Sequence, residues 1–308
     1  MGAQHSFVDI FAGCGGMSRG FEDAGFRCAG FVEFWDVAVE TYERNVGGQL
    51  MGRDVKDVKD EQLAGMRDYD IDVLIGGPPC QGFSLANPKH DLRDPRNSLF
   101  REFVRFCREV RPKFFVMENV PAILYRRTMK GELVRNIIFS EFTAIGYRTS
   151  IFILDASKFG VPQSRRRAFF IGNRVGKRNY LPEMSGKTIS MRDAIGDLSN
   201  MDPSPDLQHV WKRMSRSDLI HWQANRKRFG QAGKRPDWRF PSPTVTASAQ
   251  LMHPVFPRYL SVRECARLQT FSDGFRFSGN RDAMYRQIGN AVPVRLAEAI
   301  ARKMKEAM

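Results

Sequence analysis

The chain of 308 residues is poor in cysteine, contains no long apolar run and has no acidic excess. Its five cysteines, Cys14, Cys28, Cys80, Cys107 and Cys265, are odd in number and widely spaced. No CxxC pair occurs, and the five histidines do not cluster with the cysteines. Neither a disulfide scaffold nor a zinc site is therefore expected, and no metal is assigned. A reducing, intracellular setting fits this usage. No stretch approaches the roughly 18 apolar residues of a membrane helix, and no charged-then-apolar leader opens the chain. The opening "MGAQHS" meets a loose lipidation pattern, but "SFVDIF" follows at once and reads as a buried strand. Internal repeats and low-complexity segments are also missing.

What is present is basic and well patterned. Lys and Arg number 48 against 34 Asp and Glu, a net charge of +14. That excess suits a polyanion, nucleic acid first and an anionic membrane surface second. Hydrophobic residues at 42% and charged ones at 27% describe a soluble globular chain, long enough for two domains. Over roughly the first 170 residues, "SFVDIF", "CAGFVE", "IDVLIGG", "KFFVMEN" and "RAFFIGN" read as strands alternating with helices. "SLFREFVRFCREV" places Leu99, Phe103 and Cys107 on one stripe, with Phe100 and Val104 beside it. Apolar strands alternating with helices predict a doubly wound, mostly parallel α/β sheet, whose ligands lie beyond the carboxyl ends of the strands. From about Asn173 to Tyr259 the periodicity fades and Pro, Ser, Arg, Lys and Trp accumulate, as in a smaller, irregular second domain. Helical patterns return in "SVRECARLQTF" and "PVRLAEAIARKMKEAM", the latter with a stripe of Val292, Leu296, Ile300 and Met304.

Several stretches could carry chemistry. "DIFAGCGG" ends a strand in a glycine-rich turn, which suits either the close approach of a cofactor or a plain tight turn. Glu33 closes the second strand, where doubly wound folds often keep a ribose-binding acid; a surface acid is the alternative. In "GGPPCQGFS", Cys80 follows a strand and stands among two prolines and three glycines. Pro78 and Pro79 stiffen the backbone. A thiolate is a strong nucleophile and a good leaving group, so this rigid setting favours a reactive cysteine over a buried structural one. "MENV" places Glu118 and Asn119 at another strand end. Crowding there can raise a carboxyl pKa and let it hold a proton; the alternative is an Asn119 cap beside a solvated acid. In "QSRRR", Arg165 and Arg167 share one face of a strand start, able to bind a carbonyl or phosphate, or simply forming a basic turn.

Together, and in this order, the motifs resemble those of the DNA (cytosine-5) methyltransferases. "DIFAGCGGMSRGF" is similar to the first family motif, "GGPPCQGFS" to the catalytic motif, "MENV" to the Glu-Asn-Val motif and "QSRRR" to the Gln-x-Arg-x-Arg motif. "RECARLQTF" and "YRQIGNAVP" resemble the last two. The resemblance implies a Rossmann-like, S-adenosylmethionine-dependent methyltransferase fold. Residues 1–174 and 281–308 would form a discontinuous catalytic domain, and 175–280 the target recognition domain and hinge. It implies that Cys80 attacks carbon 6 of a cytosine flipped out of duplex DNA, followed by methylation at carbon 5. Glu118 would bond ring nitrogen 3 and the exocyclic amine, and Arg165 the carbonyl oxygen, with Asn119 and Arg167 completing the catalytic set.

For S-adenosyl-L-methionine the resemblance implies a pocket of Phe11, Gly13, Cys14, Gly16, Glu33, Phe34, Asp54, Val55, Pro79, Leu99, Asn290 and Val292. Glu33 would meet the ribose and Asp54 the adenine amine. Cys14 stands where an aliphatic or another small residue is common, and Arg53 precedes Asp54 where glycine is frequent. DNA contacts are expected from Gln81, Ser84, Arg226, Lys227, Arg228, Arg239, Thr244 and Thr246. Thr244 and Thr246 in "SPTVTAS" also suit a plain β-branched strand. The implied setting is a cytoplasmic, nucleoid-associated enzyme, monomeric on DNA, of prokaryotic or viral type and functionally paired with a restriction endonuclease. An RNA (tRNA) cytosine-5 methyltransferase and a catalytically silent DNA-binding regulator are the competing readings. Gly82-Phe83-Ser84 after Cys80-Gln81 favours DNA over the tRNA-modifying branch, which typically carries Pro-Phe-Thr there.

Overall fold

A computed structural model of the chain describes residues 4–79, 99–128, 131–179, 181–224, 235–248 and 251–308. Strands β1 (Ser6–Ile10), β2 (Arg27–Val32), β3 (Gln49–Gly52), β4 (Val73–Gly76), β5 (Phe114–Asn119), β6 (Arg148–Asp155) and β7 (Arg166–Asn173) form one seven-stranded sheet in the order β3-β2-β1-β4-β5-β7-β6. The pairs from β3 to β5 are parallel, and β7 runs antiparallel to both of its neighbours. This is the doubly wound α/β sheet expected from the apolar strand runs.

Alternation along the strands sends side chains to two cores. Phe7, Val73, Ile75, Phe114 and Val116 enter one, with helices α1 (Gly16–Asp23), α2 (Asp36–Asn45) and α10 (Val294–Lys305). Val8, Ile10, Leu74, Phe115 and Met117 enter the other, with α3 (Asp60–Gly65), α4 (Leu99–Val110) and α5 (Val134–Ala144). The stripe on α4 is buried as its spacing implies, except that Leu99 is only half-buried. β6, which like β3 the sequence pattern does not single out, is an edge strand with mostly half-exposed side chains. Its apolar content is therefore not a buried run.

The C-terminal helix returns to the first helix. A side chain at Gly16 would stand 2.6 Å from the Val292 carbonyl oxygen, and one at Gly20 would collide with that of Val294. The two glycines lie one turn apart on the same face of α1, which lets α10 approach at backbone distance. A third core joins the middle of the chain to its end. It holds Met191 and Ile195 of α6 (Met191–Ile195), Val245, Leu260, residues of α8 (Val262–Leu268), and Tyr285 and Ile288 of α9 (Arg281–Asn290). α6 and α7 (Arg216–Ala224) lie where the sequence reads as irregular. No described helix is long and apolar enough to cross a membrane.

Candidate active site

β1, β4 and β5 are parallel, so their carboxyl ends share one edge of the sheet. Glu118 and Asn119 stand there, at the end of β5. Glu118 Oε1 meets Arg167 Nε at 2.8 Å, and both side chains keep about 15% exposure. Burial raises the pKa of Glu118 above the ordinary carboxylate value, opposed first by Arg167 and then by Arg165. Its other oxygen, Oε2, lies 3.3 Å from where a Cβ on Gly77 would stand, so Gly77 leaves that face of the carboxyl uncrowded. Asn119 is buried. Its Nδ2 donates to Pro78 O at 3.1 Å, and its Oδ1 accepts from Val120 N at 2.9 Å. The strand end carrying Glu118 is thereby tied to the turn that leads into Cys80. Cys80, Gln81 and Ser84 lie outside the described residues. Among the described cysteines, Cys14, Cys28, Cys107 and Cys265 are all buried free thiols, and burial pushes the pKa of Cys14 up to about 12.

The two expected arginines part company. Arg167 faces Glu118. Arg165, 2% exposed, donates from Nη1 to Val245 O and from Nη2 to Gly289 O, each at 2.8 Å. Burial and the nearby Arg167 disfavour its charge, while Glu118 supports it. These two bonds to main-chain carbonyls make Arg165 a clamp between segments, while its buried Nε has no hydrogen-bond partner among the described residues. The guanidinium in contact with the strand-end carboxylate belongs to Arg167.

The segment 242–247 runs beside "QSRRR". Ser164 N donates to Ser242 O, and Thr244 Oγ1 donates to Ser164 O, both at 2.8 Å. The half-buried Thr244, expected to meet DNA, also anchors this segment through its hydroxyl, and Thr246 is exposed. Arg239 is exposed and held by Asp237, Nη2 to Oδ2, at 2.9 Å. Arg226, Lys227 and Arg228 lie outside the described residues.

The expected cofactor residues divide in the same way. Glu33 is buried and accepts from Gly13 N at 2.8 Å and from Trp35 N at 2.9 Å. Burial raises its pKa, and these backbone donors oppose the rise. Phe34 beside it is 69% exposed. Phe11 takes the left-handed φ of 59°, and a side chain on Gly13, at φ 57°, would meet nothing within 4 Å. Open space therefore adjoins the first turn. Asp54 and Asn290 are exposed, while Pro79 and Leu99 are half-buried. Val55 and Val292 are core residues. Gly16 packs against the Val292 carbonyl, and Cys14 belongs to the third core with Sγ donating to Gln287 O at 3.6 Å, so both support the turn from behind.

Sequence reasoning missed the residues that join the motifs. Gln163 is buried and donates from Nε2 to Gln269 Oε1 at 2.8 Å, while its Oε1 accepts from Val245 N at 2.8 Å. Gln269 in turn donates to Ile288 O at 2.7 Å. Arg263, 1% exposed, donates to Leu207 O, Ser272 O and Phe275 O, each at 2.9 Å. Glu264 closes the capping box of α8 and pairs with Arg258 at 2.7 and 2.8 Å. The sequence signals were the motifs themselves and the capping-box spacing of Ser261 and Glu264; the partners of Gln163 lie far along the chain.

Residues 5–306 match the family model described as C-5 cytosine-specific DNA methylase. Type II methyltransferase M.DdeI of Desulfomicrobium norvegicum is 35% identical over 97% of this chain and 88% of its own length. Type II methyltransferase M.FnuDI of Fusobacterium nucleatum is 34% identical over 98% and 94%. Among solved structures, a prophage-encoded DNA modification methyltransferase of E. coli superposes with a TM-score of 0.82 at 27% identity, covering 98% of this chain and 99% of that one.

Proposed function

Because the chain belongs to the C-5 cytosine-specific DNA methylases, we propose that it methylates carbon 5 of a cytosine held out of duplex DNA, with Cys80 as the nucleophile. The observation that carries this reading is the link at the ligand edge. Glu118 and Arg167 are in contact at the end of β5, and Asn119 holds Pro78, two residues before Cys80.

The residues fit S-adenosylmethionine at the neighbouring strand ends. Glu33 has a buried carboxylate at the end of β2, Phe34 offers an exposed ring, and the space beside Gly13 is open. Glu33 would hold the ribose, Phe34 the flat face of the adenine, and Asp54 and Asn290 the rim. When bound, the cofactor supplies an electrophilic methyl group.

The chain's own residues do the rest. A cytosine stacked in a duplex does not offer its ring face to a thiolate, so the base must leave the stack. The thiolate of Cys80 then bonds to carbon 6. Glu118, whose burial favours its protonated form, gives its proton to ring nitrogen 3 and draws electron density from the ring. Arg167 stabilises the carboxylate that results and the carbonyl oxygen beside it. This reading gives Arg167 the part expected of Arg165, because Arg167 is the guanidinium in contact with Glu118. Carbon 5 becomes nucleophilic. After methylation, carbon 5 gives its proton to a base, the bond from Cys80 to carbon 6 breaks to release the thiolate, and ring nitrogen 3 returns its proton to Glu118, which restores the aromatic ring. The middle of the chain, about 175–280, would read the DNA sequence. The Type II relatives favour a role in restriction and modification.

The test is transfer of labelled methyl to mixed-sequence duplex DNA and, separately, to tRNA, with Cys80→Ser alongside. Label in DNA that disappears in the variant is expected, as is a cofactor-dependent covalent complex with DNA containing 5-fluorocytosine. Full turnover by Cys80→Ser would remove the cysteine from the reaction. Label in tRNA alone would change the substrate and keep the chemistry.

A further inference from the structure

A second cationic surface lies at the edge of the sheet opposite the candidate active site. It gathers around the end of β7 and the starts of β5 and β6, where Asn173 pairs with Phe114 and with Arg148. Arg111, Arg148, Lys177 and Arg178 are exposed there, and Arg174 is half-buried. Two asparagines lace these segments together. Asn173 Nδ2 donates to Lys177 O and to Asn179 Oδ1, each at 2.8 Å, and Asn179 Nδ2 donates to Arg148 O at 2.9 Å. Arg174 N donates to Lys113 O at 3.1 Å, and Arg174 Nη1 to Arg111 O at 3.3 Å. The cations are thus held by fixed backbone.

The neighbouring acids are already engaged. Asp70 and Asp72 pair with Lys113, and Glu109 with Arg67 and Arg108. Among the described residues, no carboxylate pairs with Arg111, Arg148, Arg174, Lys177 or Arg178. Like charges gathered at one edge of the sheet repel one another, and a polyanion relieves that repulsion. Most of these side chains are arginines, whose planar fork matches phosphate. Duplex DNA is the polyanion this chain already acts on. Its phosphates supply one negative charge for about every 1.7 Å of helix axis. Lys113 and Glu118 are separated by the length of β5, roughly 17 Å at the strand rise. The two ends of the sheet face away from one another, so a duplex over Glu118 leaves the cluster uncovered.

We propose that this cluster holds a second segment of duplex DNA through its phosphates while the ligand edge holds the first. The inference rests on DNA as the substrate, but its test reads binding and not methyl transfer. Donor-labelled and acceptor-labelled mixed-sequence duplexes are mixed with the full chain. Energy transfer reports bridging, and sedimentation shows whether one chain carries both duplexes. The variants are Arg148→Glu/Lys177→Glu/Arg178→Glu and the same positions changed to Gln, with circular dichroism checking the fold. Wild type should bridge, and both variants should lose most of the transfer signal. The salt dependence of bridging should flatten by roughly 3 in log–log slope for three lost phosphate contacts. Methyl transfer at saturating duplex should stay within about twofold, since none of these residues lies at the ligand edge. Absence of a two-duplex complex in wild type, or unchanged bridging in either variant, overturns the proposal. So does a loss confined to RNA or to phosphatidylglycerol vesicles run in parallel. Bridging without any methyl transfer would support the cluster and count against the catalytic reading alone.

Discussion

At Arg165 and Arg167 one side-chain type takes different roles through its neighbours. Arg165 is enclosed, with its terminal nitrogens on the carbonyls of Val245 and Gly289. Arg167 is partly open and touches Glu118. Arg165→Lys should leave one of those buried carbonyls unpaired and cost about 1–3 kcal/mol of stability, read as a lower denaturant midpoint. Arg167→Gln should fold nearly as well but slow turnover on the order of 100-fold, the usual effect of losing one aligned charge stabiliser. It should also move the alkaline limb of the kcat profile to higher pH. Arg167 is the main group holding the Glu118 pKa down, so without it Glu118 keeps its proton further into the alkaline range. The reverse pattern, stability lost in Arg167→Gln and turnover lost in Arg165→Lys, would return the carbonyl role to Arg165. The spacing in "QSRRR" was legible in the sequence. Which arginine faces the carboxylate was not, because Val245 and Gly289 are far away in the chain.

The element that organises the third core is α8. Its N-terminus is closed by Ser261 and Glu264, and Glu264 also receives Arg258. Behind it lies His253, fully buried, whose Nδ1 accepts from Val255 N and Phe256 N at 3.0 Å each. Both bonds require the neutral ring. Burial first of all, with Arg258 and Arg235 adding, lowers the His253 pKa to about 4, although Glu264 pulls the other way. The folded value lies below the ordinary 6.5, so the unfolded chain binds this proton first. Stability is therefore complete above pH 6.5 and declines as pH falls toward 4, by about 3 kcal/mol from this group. Urea denaturation across that window should show a steeper acid loss in wild type than in His253→Asn. Equal slopes would mean that another group controls the acid limit. "SVRECARLQTF" was readable as a helix, but neither the buried ion pair nor the histidine behind it was, since burial is a property of the packed core.

For the molecule as a whole, the decisive contact is the closure of α10 on α1. Gly20 faces the Val294 carbonyl and Ala297, so the C-terminal helix seals the first core at backbone range. Gly20→Ala would gain about 1 kcal/mol in helix propensity. The collision should outweigh that gain by forcing α10 away, for a net loss of about 1–2 kcal/mol. A lower urea midpoint at unchanged slope is expected, and a stabilised variant would show that the two helices are not in backbone contact. The same closure brings Gln287 and Val292, near the end of the chain, close to the turn at Cys14 and Gly16.

The sequence by itself determined the α/β class, the five inner strands of the sheet, the strand ends that carry Glu33 and Glu118, the amphipathic helices and the family. These follow from periodicity and from short motifs, which local spacing encodes. It also showed a net positive charge, but not where that charge gathers. Tertiary structure alone decided that Arg165 clamps while Arg167 faces the carboxylate, and that Thr244 anchors a segment. It alone joined Gln163 to Gln269 and collected Arg148, Arg174 and Arg178 at one sheet edge. Each of these depends on which distant segments pack together, and a hydrogen bond or a like-charge cluster exists only once the chain has brought its members within a few ångströms.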